Sequence, residues 1–456
     1  MTEDKVITNF LEKMNYKSAA ELIGKMQDVE AADFLAIIPV NEIIEILSYL
    51  PNETEAKIIS KLALEKQIEL ARELPPRELS NILKFIAPDD RADLFKNSST
   101  KTQNNLLPYL EKKTRDDIIK LSSYPEGSAG SVMSSNFASI VDTLSVEEAL
   151  EKVRKDAPSK ETIYYIYVVD SDMHLVGFIF LEDLILAELK SNVTKIMKTK
   201  FASAEVFEDQ ESVAKKIEKY DLIAIPVVNH KNQLVGIVTH DDAIDILRQE
   251  QTEDLEKLMG ITGEHKAYSY LAKPVWVHFK NRAYWLIGLA ILGLLSGVII
   301  HQYSEVLQAV IIVALFMPMM ADAGGNSGSQ SATVIVRALA LGEITVKDWL
   351  KVIWKESKIS AMLGLVLGLL AILKVVFLTS SKDIPEGFSL MNIALVIGLA
   401  LAVQVFTATI MGALLPIIAK KFNADPAVVA SPALTTLVDI SGMLIYFGLV
   451  SLLLLQ

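Results

Sequence analysis

The feature that most constrains the fold is a series of five long apolar stretches in residues 284–456. A helix needs roughly 20 apolar residues to cross a bilayer, and each stretch reaches or exceeds that length. The sequence therefore predicts an all-α transmembrane domain with five helices. The stretches cover residues 284–303, about 306–340, 359–379, 389–419 and 426–455.

Charge is distributed unevenly along the chain. Residues 284–456 contain nine acids and nine bases, whereas residues 1–283 contain 47 acids and 35 bases and so carry the whole net charge of −12. An acidic soluble part repels nucleic acid and attracts cations, so we expect no nucleic-acid partner. Simple solubility is an alternative explanation of the acidity. The chain has no cysteine and no HxxxH pair among its six histidines, which argues against disulfides and a zinc enzyme.

Basic residues indicate how the chain would be oriented in a membrane. Lys280 and Arg282 precede the first stretch, Lys420 and Lys421 separate the fourth from the fifth, and bases concentrate in 337–358 between the second and third. The positive-inside rule places these segments, and the soluble part, in the cytoplasm. We therefore expect a multi-pass protein of the cell (inner) membrane with its C-terminus outside. The N-terminus lacks the apolar core of a signal peptide.

Two polar features interrupt the apolar stretches. Asp439 has largely apolar neighbours on both sides, and a charge at the bilayer centre costs about 2.5–3.5 kcal/mol. That cost indicates an ion pathway, although a carboxyl held by hydroxyls of a neighbouring helix is an alternative. Residues 322–332 read D-A-G-G-N-S-G-S-Q-S-A, which suggests backbone lining a water-filled path, with a glycine-rich packing face as the alternative.

The soluble part contains an internal repeat. Residues 132–139 match 196–203, and 166–185 match 225–244, each copy reading as β-α-β-β-α. The pattern resembles a tandem pair of CBS (cystathionine-β-synthase-type) domains, which implies adenosine nucleotide binding or a gating module. Thr239 and Asp242 occupy positions that often hold phosphate and ribose; a nucleotide-free pair is the alternative.

The remaining soluble segments are predicted to be helical. Residues 1–125 contain short helices opened by prolines at intervals of about twelve to thirteen residues, which predicts a small solenoid of helix pairs. Acids are most concentrated in 240–256, where a cation could bridge like charges, although a solvated helix surface is an equal alternative. The aromatic and basic residues in 264–282 favour a helix at the membrane surface.

In this order, the segments resemble the MgtE family of magnesium channels across essentially the whole chain. The motifs that carry the resemblance are P-M-M-A-D-A-G-G-N-S-G-S-Q-S-A-T at 318–333 and D-P-A-V-V-A-S-P-A-L-T-T-L-V-D at 425–439. The implied fold is multidomain: an α-helical superhelical N-domain, an α/β tandem CBS pair and a five-span membrane domain. The implied domains are 1–125, 126–190 (first CBS), 191–255 (second CBS), 256–283 (connecting helix) and 284–456 (pore).

The resemblance also implies a homodimer with its pore at the subunit interface. Asp439 matches the family's pore aspartate, and Gly325 and Asn326 match its pore-lining Gly-Asn. This chain has Gly328–Gln330 where the family reads G-N-Q, and Asp322 where a small residue is common. Asp322 could be a second pore charge or a carboxyl satisfied by the backbone beside it.

Cytosolic Mg²⁺ sensing is a further implication of the resemblance. Bridging Mg²⁺ would hold the soluble domains together and close the pore, and ATP could bind the CBS pair. The N-domain acid that completes the set is Glu53 or Glu55. The other acids that match regulatory ligands are Asp89, Asp93, Asp209, Glu211, Asp221, Asp242, Asp245, Glu250, Glu253, Asp254 and Asp425.

The function expected is Mg²⁺-selective uptake through a channel or transporter gated by cytosolic Mg²⁺, not an enzyme. Transport of another divalent cation such as Co²⁺, or cation-coupled Mg²⁺ exchange, is the main alternative. An intramembrane aspartyl protease is disfavoured because Asp322 and Asp439 lie in A-D-A-G and V-D-I-S-G rather than the motifs of that class. A nucleotide receptor that uses the membrane part only as an anchor would not need a buried acid.

Overall fold

The computed structural model describes residues 15–263, 270, 274–380, 384–430 and 432–455. The chain divides into two compact units, and for the continuous run of described residues the boundary lies between Glu250 and Gln251. The first unit contains the soluble elements, and the second contains the long apolar helices.

The first unit begins with nine short α-helices between residues 15 and 122. Proline favours their starts: Pro76 and Pro88 occupy first helical positions, and Pro39 and Pro51 stand just before helices. Each of the first four helices contacts the helix two places later, which confirms the predicted solenoid of helix pairs. The helices are α1 (Tyr16–Ile23), α2 (Asp28–Ala36), α3 (Val40–Leu47), α4 (Asn52–Lys61), α5 (Leu64–Glu73), α6 (Pro76–Leu83), α7 (Pro88–Asn97), α8 (Thr100–Leu106) and α9 (Lys112–Ser122).

Two β-α-β-β-α copies follow, as the repeat predicts. Each has a three-stranded sheet in which the first two strands are parallel and the last two antiparallel. A capping box of Ser145 and Glu148 opens the first helix. The first copy is β1 (Phe137–Val141), α10 (Val146–Asp156), β2 (Thr162–Val169), β3 (Leu175–Phe180) and α11 (Leu181–Leu186). The second is β4 (Ala204–Glu205), α12 (Gln210–Lys219), β5 (Ala224–Val228), β6 (Leu234–Thr239) and α13 (His240–Leu258).

The two copies pack against each other through alternate residues of β2. On β2, Ile166 and Val168 pack in the first copy's own core, while Tyr165 and Tyr167 pack with apolar residues of the second copy. The helical N-domain docks on the second copy through Ala92 of α7 and Leu121 of α9, which share that copy's core. This docking places the start of α7 beside the start of α13.

The second unit is helical. Four of its helices, α14, α17, α18 and α20, are long and apolar enough to cross a membrane among the residues described. Helix α18 is the most buried and contacts α16, α17 and α20. The helices are α14 (Val275–Gln302), α15 (Ser304–Ala309), α16 (Met317–Ala340), α17 (Trp349–Leu378), α18 (Leu390–Lys421), α19 (Pro426–Ala430) and α20 (Pro432–Leu454).

The structure differs from two sequence expectations. The second apolar stretch is not one continuous helix, because α15 ends at Ala309, a 3₁₀ segment covers Ile311–Phe316 and α16 starts at Met317. The glycine-rich stretch 322–332 is not unwound; it lies inside α16, where its small residues pack against neighbouring helices. The predicted surface helix falls partly on 264–269 and 271–273, outside the described residues, and its last eight residues belong to α14.

Candidate pore and cation sites

Asp439 lies on α20, partly buried, where that helix faces the start of α16. It lines a small pocket with Met317, Met320 and Ala321 of α16 and with Tyr446, which lies about two turns further along α20. The rest of this lining is mostly apolar, so a carboxylate here is poorly solvated. Among the lining residues, only Asp439 carries a charge.

The glycine-rich stretch of α16 presents two different faces. Gly324 and Gly328 are buried, and a Cβ at Gly328 would lie 3.1 Å from the carbonyl oxygen of Ala408 on α18. Gly325 is buried beside Thr435 of α20. This close contact supports the packing alternative for the buried face of the stretch.

The other face of α16 is polar and exposed. The amide Nδ2 of Asn326 donates to Oδ1 of Asp322 at 2.9 Å, and both side chains are exposed on the single chain. Asp322 is therefore held by an amide side chain one turn away. Asn326 and Asp322 are available to an ion path on a surface that α18 does not cover.

Buried polar contacts in the membrane part, three of which follow here, were not predicted from the sequence. Ser331 of α16 donates to Oε2 of Glu356 on α17 at 2.9 Å, and Glu356 is buried. The bases around Glu356 led to its assignment to a cytoplasmic connection. The signal that could have placed it is the recurrence of Ser360 and Gly364 at four-residue intervals after it, which marks one buried helix face. The other two contacts join Ser327 to Thr409 and Gln404 to the backbone of Val438.

In the first unit, carboxyl groups from three elements meet. Asp89 and Asp90 stand in the first turn of α7, Asp241 and Asp242 in the first turn of α13, and Glu161 just before β2. We refer to these five residues as the acid cluster. Helix N-termini favour negative charge, which helps both aspartate pairs to lie at these positions.

Burial and the closeness of the carboxyls disfavour negative charge in the acid cluster, although the buried Arg91 also lies near it. Burial and the neighbouring carboxyls of Asp90, Asp242 and Glu161 raise the pKa of Asp89 well above its usual value. Burial and Asp242 raise the pKa of Asp90 to about 7, although Lys61 acts in the opposite direction. Oδ1 of Asp89 is buried with no hydrogen-bond partner among the described residues. Oxygen-rich, charge-dense surroundings of this kind suit Mg²⁺ or Ca²⁺.

Family comparisons agree with this architecture. The model of the MgtE intracellular N domain matches residues 1–67 and 29–127, the CBS domain model matches 129–190 and 193–249, and the model described as MgtE, divalent cation transporter, matches 317–449. The magnesium transporter MgtE of Thermus thermophilus is 38% identical over 334 residues, which cover 73% of this chain and 72% of that protein.

The chain belongs to the MgtE family. The magnesium transporter MgtE of Bacillus subtilis is also 38% identical over 334 residues, covering 72% of this chain and 70% of that protein. The crystal structure of the cytosolic domain of the Mg²⁺ channel MgtE in complex with ATP matches with a TM-score of 0.50 and 32% identity, over 53% of this chain and 99% of that one. Membership identifies a multi-pass membrane transporter with a soluble part.

Among the regulatory acids that the MgtE resemblance implies, Asp89 and Asp242 are the two that the structure places in the acid cluster. Asp93 and Asp245 lie close enough to raise the pKa of Asp90 and Asp242, respectively. Asp90, Asp241 and Glu161 were missed. Two adjacent aspartates at one helix start could have indicated Asp90 and Asp241, but only the fold brings in Glu161.

The other acids of the set lie elsewhere in the structure. Asp209 caps α12, Glu211 pairs with Lys215, and Asp221 occupies a turn with positive φ. Glu250 accepts a hydrogen bond from Nε2 of Gln210 at 2.7 Å. Asp254 lies on α13 among the described residues. Their assignment as ion ligands stays a prediction.

Glu253 and Asp425 share a cation that the protein itself supplies. Nζ of Lys257 lies 2.5 Å from Oε1 of Glu253 and 3.1 Å from Oδ2 of Asp425. Partial burial acts to lower the pKa of Lys257, but its hydrogen bonds to both carboxylates raise it above the usual value. Lysine thus occupies the place where the resemblance implies a bridging ion.

The two candidates for the remaining N-domain acid differ. Glu53 is exposed and pairs with Lys57 at 2.9 Å, whereas Glu55 is buried. Burial and the nearby Glu78 raise the pKa of Glu55 to about 7. Glu55 is the candidate whose surroundings disfavour a negative charge most.

Of the two residues predicted to bind nucleotide, Asp242 belongs to the acid cluster and Thr239 lies beside it. The hydroxyl of Thr239 donates to Asp241 and Asp242, and these carboxylates would repel phosphate. A pocket of about 370 Å³ lies elsewhere in the CBS pair. An adjoining open pocket shares its Ala202 and Tyr220. The aromatic residues Tyr165, Tyr167 and Phe178 line the first pocket with Lys200, and Lys215, Lys216 and Lys219 line the second.

Proposed function

We propose that this protein is a Mg²⁺-selective channel or transporter for magnesium uptake, with a pore at the interface of a homodimer. The observation that carries the proposal is Asp439, a partly buried carboxylate on an apolar helix beside the glycine-rich α16. The relatives described as magnesium transporters support Mg²⁺ as the cargo.

Hydration chemistry explains how two Asp439 side chains could select Mg²⁺. Mg²⁺ demands octahedral oxygen ligation and loses water reluctantly, so a filter works best by holding the hydrated ion. In the proposed dimer, one carboxylate from each chain supplies attraction, while the amide of Asn326, on the exposed face of α16, hydrogen-bonds the water shell. Ions with larger or looser shells fit this ring less well.

Mg²⁺ flux into dye-loaded proteoliposomes tests the pore. We expect Asp439→Ala to abolish flux and the matched control Glu343→Gln, in an exposed connection, to retain it. Wild-type flux in Asp439→Ala contradicts the proposal. Repeating the assay with Co²⁺, and with Na⁺ or H⁺ gradients, separates Mg²⁺ selectivity from transport of another divalent cation and from coupled exchange.

We also propose that cytosolic Mg²⁺ closes the pore by binding the acid cluster. Mg²⁺ between α7 and α13 would neutralise the carboxylates and stabilise the docking of the N-domain on the second CBS copy. A ligand shifts such an equilibrium only through its higher affinity for one state, and the acid cluster exists only in the docked state. The orphaned Oδ1 of Asp89 supports an additional ligand at this place.

Patch recordings with varied cytosolic Mg²⁺ test this gating. We expect Asp89→Asn with Asp242→Asn to leave the current intact at Mg²⁺ concentrations that close the wild-type channel. The control Asp172→Asn alters an exposed turn outside the cluster and should close normally. Normal closure of the double variant rules the cluster out as the sensor.

Adenine nucleotide is proposed to bind the aromatic pocket of the CBS pair instead of Thr239. Stacking on Tyr165 or Phe178 would hold the base, and the lysines of the adjoining pocket would hold phosphates. The ATP complex of the related cytosolic domain supports this. Calorimetry should show weaker ATP binding by Lys200→Glu than by Lys190→Glu, an exposed control outside both pockets; equal affinities would refute the site.

The proposed arrangement in the membrane has five spans: the four long apolar helices and, between α14 and α17, the helix α16. The soluble domains lie in the cytoplasm and the C-terminus lies outside. Because the chain has no cysteine, Leu455→Cys provides a single label. Modification by an impermeant thiol reagent added outside intact cells supports this topology, and protection contradicts it. Mass photometry of the purified protein tests the homodimer.

A further inference from the structure

Gln404 is a fully buried polar residue near the middle of α18. Its Nε2 donates to the carbonyl oxygen of Val438 on α20 at 2.9 Å. Val438 immediately precedes Asp439. The hydrogen bond therefore joins the most buried helix of the membrane part to the backbone next to the proposed pore carboxylate.

The amide of Gln404 lies between two glycines. A Cβ at Gly324 of α16 would come within 2.5 Å of its Nε2, and one at Gly442 of α20 would overlap the same atom even more closely. Gly442 is three residues from Asp439, on the same face of α20. Three helices thus meet at this amide only because α16 and α20 both lack a side chain at the contact.

Packing alone does not explain the choice of glutamine. Oε1 of Gln404 is buried with no hydrogen-bond partner among the described residues, and an unpaired buried acceptor is unfavourable. An apolar side chain of the same length would fill the space without that cost. The carbonyl of Val438 also accepts from the hydroxyl of Ser441 at 3.1 Å, so two side chains hold the backbone at this point.

We infer that Gln404 is a positioning residue for Asp439: its hydrogen bond to Val438, within the contact made by Gly324 and Gly442, sets the rotation and height of α20 at the pore. A shift of one residue along a helix rotates a side chain by about 100° and moves it about 1.5 Å. Small errors in α20 would therefore change how Asp439 meets a hydrated ion. The inference rests on the proposed role of Asp439 as a pore ligand.

Divalent cation flux by the full-length protein in proteoliposomes tests this role. Gln404→Met keeps length and removes the donor, and Gly442→Ala displaces the amide while keeping Gln404. We expect both variants to require about tenfold more Mg²⁺ for half-maximal flux and to discriminate less between Mg²⁺ and Ca²⁺. The readout is half-saturation and selectivity, which a loss of protein amount alone does not change.

Thr409→Val is the matched control. It removes a buried hydrogen bond of α18, between Thr409 and Ser327 at 2.6 Å, that joins α18 to α16 and not to α20. We expect this variant to keep wild-type half-saturation and selectivity. The same defect in Thr409→Val as in Gln404→Met would show a general packing effect and overturn the inference.

Asp439→Asn in the same assay separates the two proposals. If Asp439→Asn fails to conduct while Gln404→Met and Gly442→Ala match the wild type, the positioning role is wrong and the pore assignment stands. Wild-type flux through Asp439→Asn overturns both. If Gln404→Met does not reach the vesicles as folded protein, Gly442→Ala decides the outcome by the same criteria.

Discussion

At the scale of single residues, the acid cluster offers protons and the proposed Mg²⁺ the same carboxylate oxygens. Asp89 and Asp90 have raised pKa values because they are buried near other carboxyls, and the pKa of Asp90 rises from 3.8 to about 7. A carboxyl with a raised pKa binds more protons in the folded state than in the unfolded state. The stability of this docked arrangement therefore falls as pH rises between about 4 and 7.

Mg²⁺ should offset that loss. Metal ligands must be deprotonated, so Mg²⁺ binding releases protons and strengthens with pH. We predict that saturating Mg²⁺ raises the melting temperature of the full-length protein by about 2–4 °C more at pH 8 than at pH 6. Asp90→Asn should reduce this difference. Equal Mg²⁺-induced shifts at both pH values would contradict the prediction.

At the scale of elements, the close contact of α16 with α18 depends on two glycines. A Cβ at Gly412 would overlap the carbonyl oxygen of Gly328, a backbone atom that can move only if a helix moves. Overpacking of this kind typically costs about 1–3 kcal/mol. We predict that Gly412→Ala lowers the melting temperature in detergent, whereas Gly293→Ala, with nothing within 4 Å of its added carbon, does not. Equal melting temperatures would show that α16 and α18 pack more loosely.

The end of α13 provides a second test at this scale. Lys257 bridges Glu253 and Asp425, so the charge of these two acids is partly balanced without a metal ion. Lys257→Gln leaves two carboxylates facing each other, and we predict that Mg²⁺ then stabilises the protein more than it stabilises the wild type. The comparison is the Mg²⁺-induced rise in melting temperature at pH 8. An unchanged rise would indicate that the two carboxylates separate when the lysine is lost.

At the scale of the whole molecule, periodicity predicted the order and type of the elements well. The solenoid of helix pairs and the two β-α-β-β-α copies follow from local patterns of proline, apolar residues and repeats. The helical state of residues 322–332 did not, because glycine favours loops in isolation and only the close approach of α18 makes it favourable in α16. Local propensity was overridden by packing.

The residues of the candidate sites also form two groups: those that local sequence indicates and those that only the fold brings together. Asp439, Asp89 and Asp242 could be predicted because each stands in a motif or in a helix start with other acids. Glu161 and Glu356 could not, since their surroundings come from elements far away in the sequence. The sequence around Gln404 indicated no role for it, because its proposed role depends on its contacts with Val438 and Gly442, which only the fold brings close.

Mg²⁺ influx through Asp439→Asn isolates the role of the Asp439 charge in the proposed pore, because asparagine keeps the shape of the side chain and removes only the charge. If this charge attracts Mg²⁺ into the pore, influx into vesicles of equal protein content falls to the level of protein-free vesicles. Influx at the wild-type rate would show that the Mg²⁺ path does not depend on Asp439.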